Sequence, residues 1–296
     1  MAQLREIKKR MGAVKTIQRI TKTMQMIATA KYTASLARAK NSRPYTDTIR
    51  GLVSQVAAQA GDATHPLLQV PATSTGRELV LVITSDRGLC GAYNSNVLRM
   101  ASRLIAETKS QGRTTVVETA GRKAIAFFKF AKMDVAARHA VGDRPQYETV
   151  DAIAQSYIDR YVAGEFDSVK VVYTRFVSVA RQRAEVMQLL PLSLPKEQGA
   201  DAAKSAAARV ADYEFSPSPA ELLGELLPRS VKTSLFQSFL DAVVSENVMR
   251  MVAMKAATDN AGNVIKELQL IYNKARQAAI TKEISEIVGG AAAIAG

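Results

Sequence analysis

Gly88 and Gly91 sit in the turn Ser85-Asp86-Arg87-Gly88-Leu89-Cys90-Gly91, which follows the apolar run Leu79-Val80-Leu81-Val82-Ile83. A glycine-containing turn after a strand is where backbone amides can cradle phosphate, so nucleotide chemistry is the first to weigh. The spacing does not match G-x-G-x-x-G, and no Walker A sequence occurs. A tight strand-to-helix turn with Cys90 packed inside accounts for the same residues. Metal chemistry needs clustered ligands, and the chain offers only His65, His139 and Cys90, well separated. No G-x-S-x-G elbow marks an acyl-transfer nucleophile. The residues therefore assign no catalytic centre, no metal and no cofactor. A single cysteine excludes an internal disulfide, which suits a reducing compartment.

Charge is the stronger signal. The formal net charge is +13, and residues 1–60 hold twelve Lys or Arg against two acids, whereas residues 221–296 hold eight of each. A basic N-terminal arm calls for an acidic partner: nucleic acid, anionic lipid or an acidic protein surface. A basic coiled-coil protein that binds nucleic acid is thus one reading, although no binding motif is present and aromatics are sparse near the basic residues. Met1–Glu6 carries charges without an apolar h-region, so no secretory signal is expected. No run of eighteen apolar residues occurs, so no membrane-spanning helix is expected and membrane association would go through partners.

The elements that carry this charge are helical at both ends. Leu4, Ile7, Met11 and Val14 recur at spacings of 3, 4 and 3, and the stripe resumes at Ile17, Ile20, Met24 and Ile27. That pattern predicts a coiled-coil helix over residues 1–60, kinked at Pro44 and ended by Gly61-Asp62 and Pro66. Strands are expected at Leu79–Ile83, Thr114–Thr119, Val169–Phe176 and Ala184–Leu190, the last two as neighbours. Helices are expected at about 94–110, Gly121–Phe130 and Val150–Gly164, giving a small α/β domain with a partly parallel sheet at 75–192. Residues 193–227 read as a connecting segment. A C-terminal helix at 228–296 runs from about Pro228 to about Val288, with Val231, Leu235, Val244, Val248, Met251, Leu268 and Ile271 as its apolar positions. Sixty residues of helix span about 90 Å, too long to be covered by a domain of this size. The two terminal helices are therefore expected to pair with each other as an antiparallel coiled coil. Asp259–Asn263 is a weak helical run, and the small-residue tail Gly289–Gly296 is expected to fray in water.

These segments resemble a known family. Ile20-Thr21-Lys22-Thr23-Met24-Gln25-Met26-Ile27-Ala28 is similar to the N-terminal signature of F-type ATP synthase gamma subunits, and Ser85–Gly91 to that family's mid-chain loop. The C-terminal matches are stronger: Arg250-Met251-Val252-Ala253-Met254-Lys255-Ala256-Ala257-Thr258-Asp259-Asn260-Ala261, and Tyr272–Ile284. The motifs stand in family order and cover essentially the whole chain. The resemblance implies an α/β fold class, with a long antiparallel coiled coil of N- and C-terminal helices plus a small Rossmann-like α/β domain. It implies a central rotor without a catalytic site of its own or a cofactor. The expected partners are the alpha and beta subunits, the epsilon subunit and the c-ring. The expected location is the cytoplasmic face of the bacterial inner membrane, as a peripheral protein, although a processed organellar chain would look similar.

By motif match the resemblance also implies contact residues. Lys22 and Met24 belong to the face near the acidic lever of beta, and Glu246 with Arg250 to the region linked to coupling. Arg276, Gln277 and Thr281 match contacts with beta loops higher on the shaft. Each also has a plainer reading: Met24 as a stripe residue, Glu246 and Arg250 as an ordinary i,i+4 pair, Arg276 and Gln277 as solvated. Tyr213 and Glu214 match the base segment that meets the c-ring and epsilon. Ser216 stands where that segment usually has an acid, so the polar contacts of the base are open. Exposed ion pairs contribute only about 0–1 kcal/mol each, so torque is expected to be distributed. Reversing the charge of any one exposed Lys in the N-terminal helix should leave rotation measurable in a single-molecule assay. A folded single variant that stops all rotation contradicts this.

Overall fold

A computed structural model describes residues 2–59, 65–69, 71, 74–192 and 218–295. Its elements in chain order are α1 (Ala2–Gln59), a 3-10 turn (Pro66–Leu68), β1 (Arg77–Ile83), α2 (Tyr93–Ser110), β2 (Thr114–Ala120), α3 (Arg122–Phe130), β3 (Ala137–His139), α4 (Tyr147–Val162), β4 (Ser168–Phe176), β5 (Gln182–Leu190) and α5 (Pro219–Ala295). They form two compact units: Lys31–Met249 in one, Met1–Ala30 with Arg250–Gly296 in the other.

The larger unit is built on a five-stranded sheet of order β3-β2-β1-β4-β5. Four strands are parallel, and β5 closes one edge antiparallel to β4, its expected neighbour. From Leu79 to Ile83 the central strand is apolar, because both of its faces are covered there. Leu79, Leu81 and Ile83 face a core shared with α4 and with Val53, Val56, Leu227, Val231 and Leu235 of the long helices. Val80 and Val82 face the opposite core, filled from α2 and α3 by Val97, Ala101, Ala124 and Phe128. Alternation at period two thus sorts one strand's side chains between two layers.

The observed elements differ from the expected ones in a few places. β3 escaped the sequence reading, because three residues are too short for any alternation to register. The C-terminal helix begins at Pro219 rather than near Pro228, which lies inside it. Ser218 starts the helix, its hydroxyl accepting from the Glu221 amide at 3.4 Å. Buried Leu223, Leu227 and Val231 hold the helix to the core on either side of Pro228 and offset the missing backbone donor. Pro44 likewise lies within α1, which continues to Gln59. The tail expected to fray is helical as far as Ala295.

Two carboxylates are buried in the central strands, and each is surrounded by cations and hydroxyls. Glu78 accepts from Arg113 at 2.9 Å, Lys170 at 2.8 Å and Thr108 at 3.1 Å. Glu118 accepts from Arg160 at 2.8 Å and Tyr157 at 2.8 Å, and contacts His139 Nε2 at 2.7 Å. Burial alone would raise the Glu118 carboxyl, but its hydrogen bonds to His139, Arg160 and Tyr157 outweigh that and hold it at about 2.

This shift gives a pH dependence with a definite sign. The folded state binds the Glu118 proton more weakly than the unfolded chain, whose reference value is 4.5. The contribution is complete above that value and is lost as pH falls toward about 2. Glu118→Gln is expected to lower stability at neutral pH and to flatten the loss between those two values. Urea denaturation across that range checks it, and an unchanged acid slope in the variant would contradict it.

Candidate partner interface

The smaller unit consists of the first turns of α1 and the last turns of α5. Thr258 Oγ1 donates to Thr21 Oγ1 at 2.8 Å, and a Cβ placed on Gly262 would stand 3.1 Å from Gln18 Nε2. Advancing three residues along α1 retreats four along α5, so the two run antiparallel.

Burial along α1 follows a heptad. Leu4, Ile7, Met11, Val14, Gln18, Thr21, Gln25 and Ala28 are buried or half-buried, at alternating spacings of 3 and 4. Met254, Thr258, Ala261, Ile265, Leu268, Tyr272, Ala275 and Ala279 do the same on α5. The seam is polar in its middle, and Gln25 Oε1 is buried there without a hydrogen-bond partner. Gly262, in the weak helical run, lets the Gln18 side chain lie close, which explains why that run is tolerated.

This register corrects the apolar stripe read from sequence. After Val14 the seam continues through polar residues, and Ile17, Ile20 and Ile27 are 53%, 52% and 53% exposed. They form a second stripe beside the seam, with Met24 half-buried at its edge. On α5, Ile271 is exposed while Leu268 and Tyr272 take the seam. Following hydrophobicity alone slipped the reading by one residue, because 17, 20, 24, 27 and 18, 21, 25, 28 share one periodicity.

The end of α5 has still less cover. Counting sixteen residues back from Gln18 to Ala2, where α1 begins, carries the pairing from Gly262 to about residue 278. From Thr281 to Ala291 every residue is exposed, including Ile284, Ile287 and Val288. Apolar surface on this scale marks a site for another protein rather than for water. On α1, Arg5, Lys8, Lys9, Arg10, Lys15, Arg19 and Lys22 are all exposed, so the same unit shows apolar stripes beside a strongly basic face.

The residues singled out from sequence fall in different places. Lys22 is exposed on α1 of this unit; Arg276, Gln277 and Thr281 are exposed on α5, with Thr281 Oγ1 donating to the Gln277 carbonyl at 3.0 Å. Arg250 is half-buried in this unit, whereas Glu246 belongs to the larger unit and is 8% exposed. Tyr213, Glu214 and Ser216 lie outside the described residues.

The turn that invited a nucleotide reading is closed on itself. The Ser85 amide donates to Asn94 Oδ1 at 3.0 Å, the Ser85 hydroxyl to the Arg87 carbonyl at 2.6 Å, and Asn94 Nδ2 to Cys90 Sγ at 3.2 Å. Over the carboxyl ends of β1 and β2, next to this turn, the cavity is about 30 Å³. Phe239, Ala242 and Glu246 of α5 line it and leave room for about one water. The glycine that matters here is Gly121, at φ 99, where a Cβ would run into the Thr84 carbonyl.

Comparisons with known proteins agree with this picture. The ATP synthase family model matches residues 3–294. The ATP synthase gamma chain of Rhodopirellula baltica is 41% identical over 298 residues, covering 100% of both chains. That of Actinobacillus succinogenes is 41% identical over 295 residues, covering 99% of this chain and 100% of the relative. Among solved structures, a chain of the Euglena gracilis mitochondrial ATP synthase OSCP/F1/c-ring assembly has a TM-score of 0.67 at 17% identity, covering 99% of this chain and 95% of that one. A chain of the Tetrahymena thermophila mitochondrial central stalk and c-ring has a TM-score of 0.57 at 23% identity, covering 80% and 99%. At these identities the structural likeness speaks to the fold alone.

Seam and surface predict opposite responses to truncation. Leu268 is 7% exposed and Leu270 71%. Leu268→Ala is expected to cost about 2–4 kcal/mol and Leu270→Ala under about 0.5 kcal/mol in the isolated chain. Guanidinium denaturation followed by helical circular dichroism measures both, and equal costs would contradict the register.

Proposed function

The chain belongs to the ATP synthase gamma chain family, and from that premise we propose how its surface works in the assembly. It is the central stalk rotor of a proton-translocating F-type ATP synthase, coupling rotation of the c-ring to conformational cycling of the alpha/beta hexamer. Its partners are the alpha and beta subunits, epsilon and the c-ring. The family assignment leaves no support for the nucleic-acid reading of the basic helix.

The observation that carries the proposal is the one-sided surface of the smaller unit. Two helices paired through one seam cannot be threefold symmetric. A shaft with an apolar stripe on one side and a basic face on another presents different chemistry to each of three surrounding sites. A beta subunit shifts between conformations only by the difference in contact energy that the shaft offers to them. Rotation changes which site meets which face, and so which conformation is favoured. Lys22 and Met24 are proposed to meet the acidic lever of beta, and Arg276, Gln277 and Thr281 its upper loops. The exposed last turns of α5 turn against an apolar sleeve, where Ile284, Ile287 and Val288 lose water without forming a directional bond that would hold one angle. Glu246 and Arg250 are proposed to act in coupling, and Tyr213 with Glu214 to meet the c-ring and epsilon. In this division of labour the smaller unit is the shaft, and the larger unit, with the Rossmann-like domain at 75–192, is the base.

The chain itself is proposed to carry no catalytic site. It is a component of a membrane-associated complex, and no helix among its described residues is long and apolar enough to cross a membrane. Its proposed location is the cytoplasmic face of the bacterial plasma membrane, where its partners hold it.

Reconstitution tests this. Matching alpha and beta subunits are assayed for ATP hydrolysis with and without the chain, and the chain is assayed alone. The expected result is no hydrolysis by the chain, a single complex with three copies of each partner, and altered turnover on its addition. Hydrolysis by the chain alone, or failure to join the partners, would overturn the proposal.

A further inference from the structure

Within the larger unit, α1, α5 and the β4–β5 pair line an open polar pocket of about 160 Å³. Arg43 and Arg50 reach it from one face of α1, Arg175 from β4, and Ser234 and Asp241 from one face of α5. Each residue is placed by the period of its element: 43 and 50 are two turns apart on a helix, as are 234 and 241.

The three guanidinium groups are poorly satisfied. Arg43 stands 3.5 Å from Asp241 and Arg175 3.9 Å from Glu185, while Arg50 donates to the Ser234 hydroxyl at 3.2 Å. Arginine–carboxylate pairs normally close to about 2.7–2.9 Å, as the buried carboxylates of this unit show, Arg160 with Glu118 at 2.8 Å and Arg113 with Glu78 at 2.9 Å, whereas Arg122 stands 3.9 Å from Asp86 at the surface. The carboxylates at the pocket are engaged elsewhere: Glu185 accepts from the Tyr173 hydroxyl at 2.7 Å and Asp241 from the Gln237 amide at 2.9 Å. Burial pushes the Asp241 carboxyl up, and Gln237, Arg43 and Arg175 pull it back. Each guanidinium has five donors in a planar fork, and all three arginines are exposed, so most of these donors face the solvent at the pocket, where a ligand could take them up in place of water.

We propose that this pocket binds a tetrahedral oxyanion of the phosphate class, gripped by Arg43, Arg50 and Arg175. A phosphoryl group offers several acceptor oxygens in the geometry that guanidinium forks match, and the pocket has the volume of several waters. Asp47, Glu185 and Asp241 balance the three arginines in formal charge. Recognition therefore rests on directed donors rather than on net field, and affinity is modest, on the order of 1 mM. An occupant touching α1, β4 and α5 at once stabilises the unit by mass action.

The test titrates inorganic phosphate into the full-length chain, read by calorimetry and by the melting temperature, against chloride at matched pH and ionic strength. Saturable binding and a raised melting temperature are expected with phosphate only. The double variant Arg50→Gln/Arg175→Gln is expected to weaken binding at least tenfold. Should that pair fail to fold, Arg50→Lys/Arg175→Lys keeps the charge but loses the fork, and is expected to weaken binding with helical content unchanged. An ADP arm separates sources: binding with the same dependence on the two arginines identifies a nucleotide phosphoryl group, and binding of phosphate without ADP identifies the free ion. Absence of saturable phosphate binding up to roughly twenty times the expected constant, or binding indifferent to both folded variants, overturns the proposal.

Discussion

A heptad seam with a polar middle governs the smaller unit. Two helices held by leucines alone could slide by a heptad at little cost. Gln18, Thr21 and Gln25 in the seam make such sliding costly, because each displaced polar side chain would face apolar surface. The Thr21–Thr258 hydrogen bond and the small residue at Gly262 hold one register. A shaft that transmits torque needs this fixity, since slippage along the pair would dissipate the turn before it reached a catalytic site.

The same polar seam explains why hydrophobic residues lie outside. Ile17, Ile20 and Ile27 are displaced from the pair and exposed, a cost the isolated chain bears and the proposed contact with a partner would remove. The basic side chains around them add electrostatic attraction of long range and little individual strength. Apolar contact and diffuse charge together favour binding without fixing one rotational angle, as a turning part requires.

The larger unit meets the opposite demand. Its sheet is covered on both faces, its central strands bury two carboxylates with full complements of donors, and α5 packs over the carboxyl ends of β1 and β2. Removing either cation shell would strand a buried charge, so the networks around Glu78 and Glu118 favour one arrangement of strands and helices. Such overdetermined packing suits the base role proposed for this unit, which must not deform under load.

Much of this was legible in the chain. The run Leu79–Ile83, the periodicities of the two terminal helices and the motifs at Ile20–Ala28, Arg250–Ala261 and Tyr272–Ile284 specified the α/β class, the helix pair and the family, because period and local chemistry are properties of short segments. The existence of a basic surface was equally plain from residue counts. Only the tertiary structure decided which of two interleaved stripes on α1 forms the seam, since both have the same spacing and the choice depends on Thr258 and Gly262, more than two hundred residues away. It also decided that Glu78 and Glu118 are buried beside their cations, that β3 exists, and that the turn at Ser85–Gly91 closes on itself. Each of those outcomes is an encounter between distant residues, and the physics that settles it is the cover, charge or hydrogen bond that one side chain finds on another element.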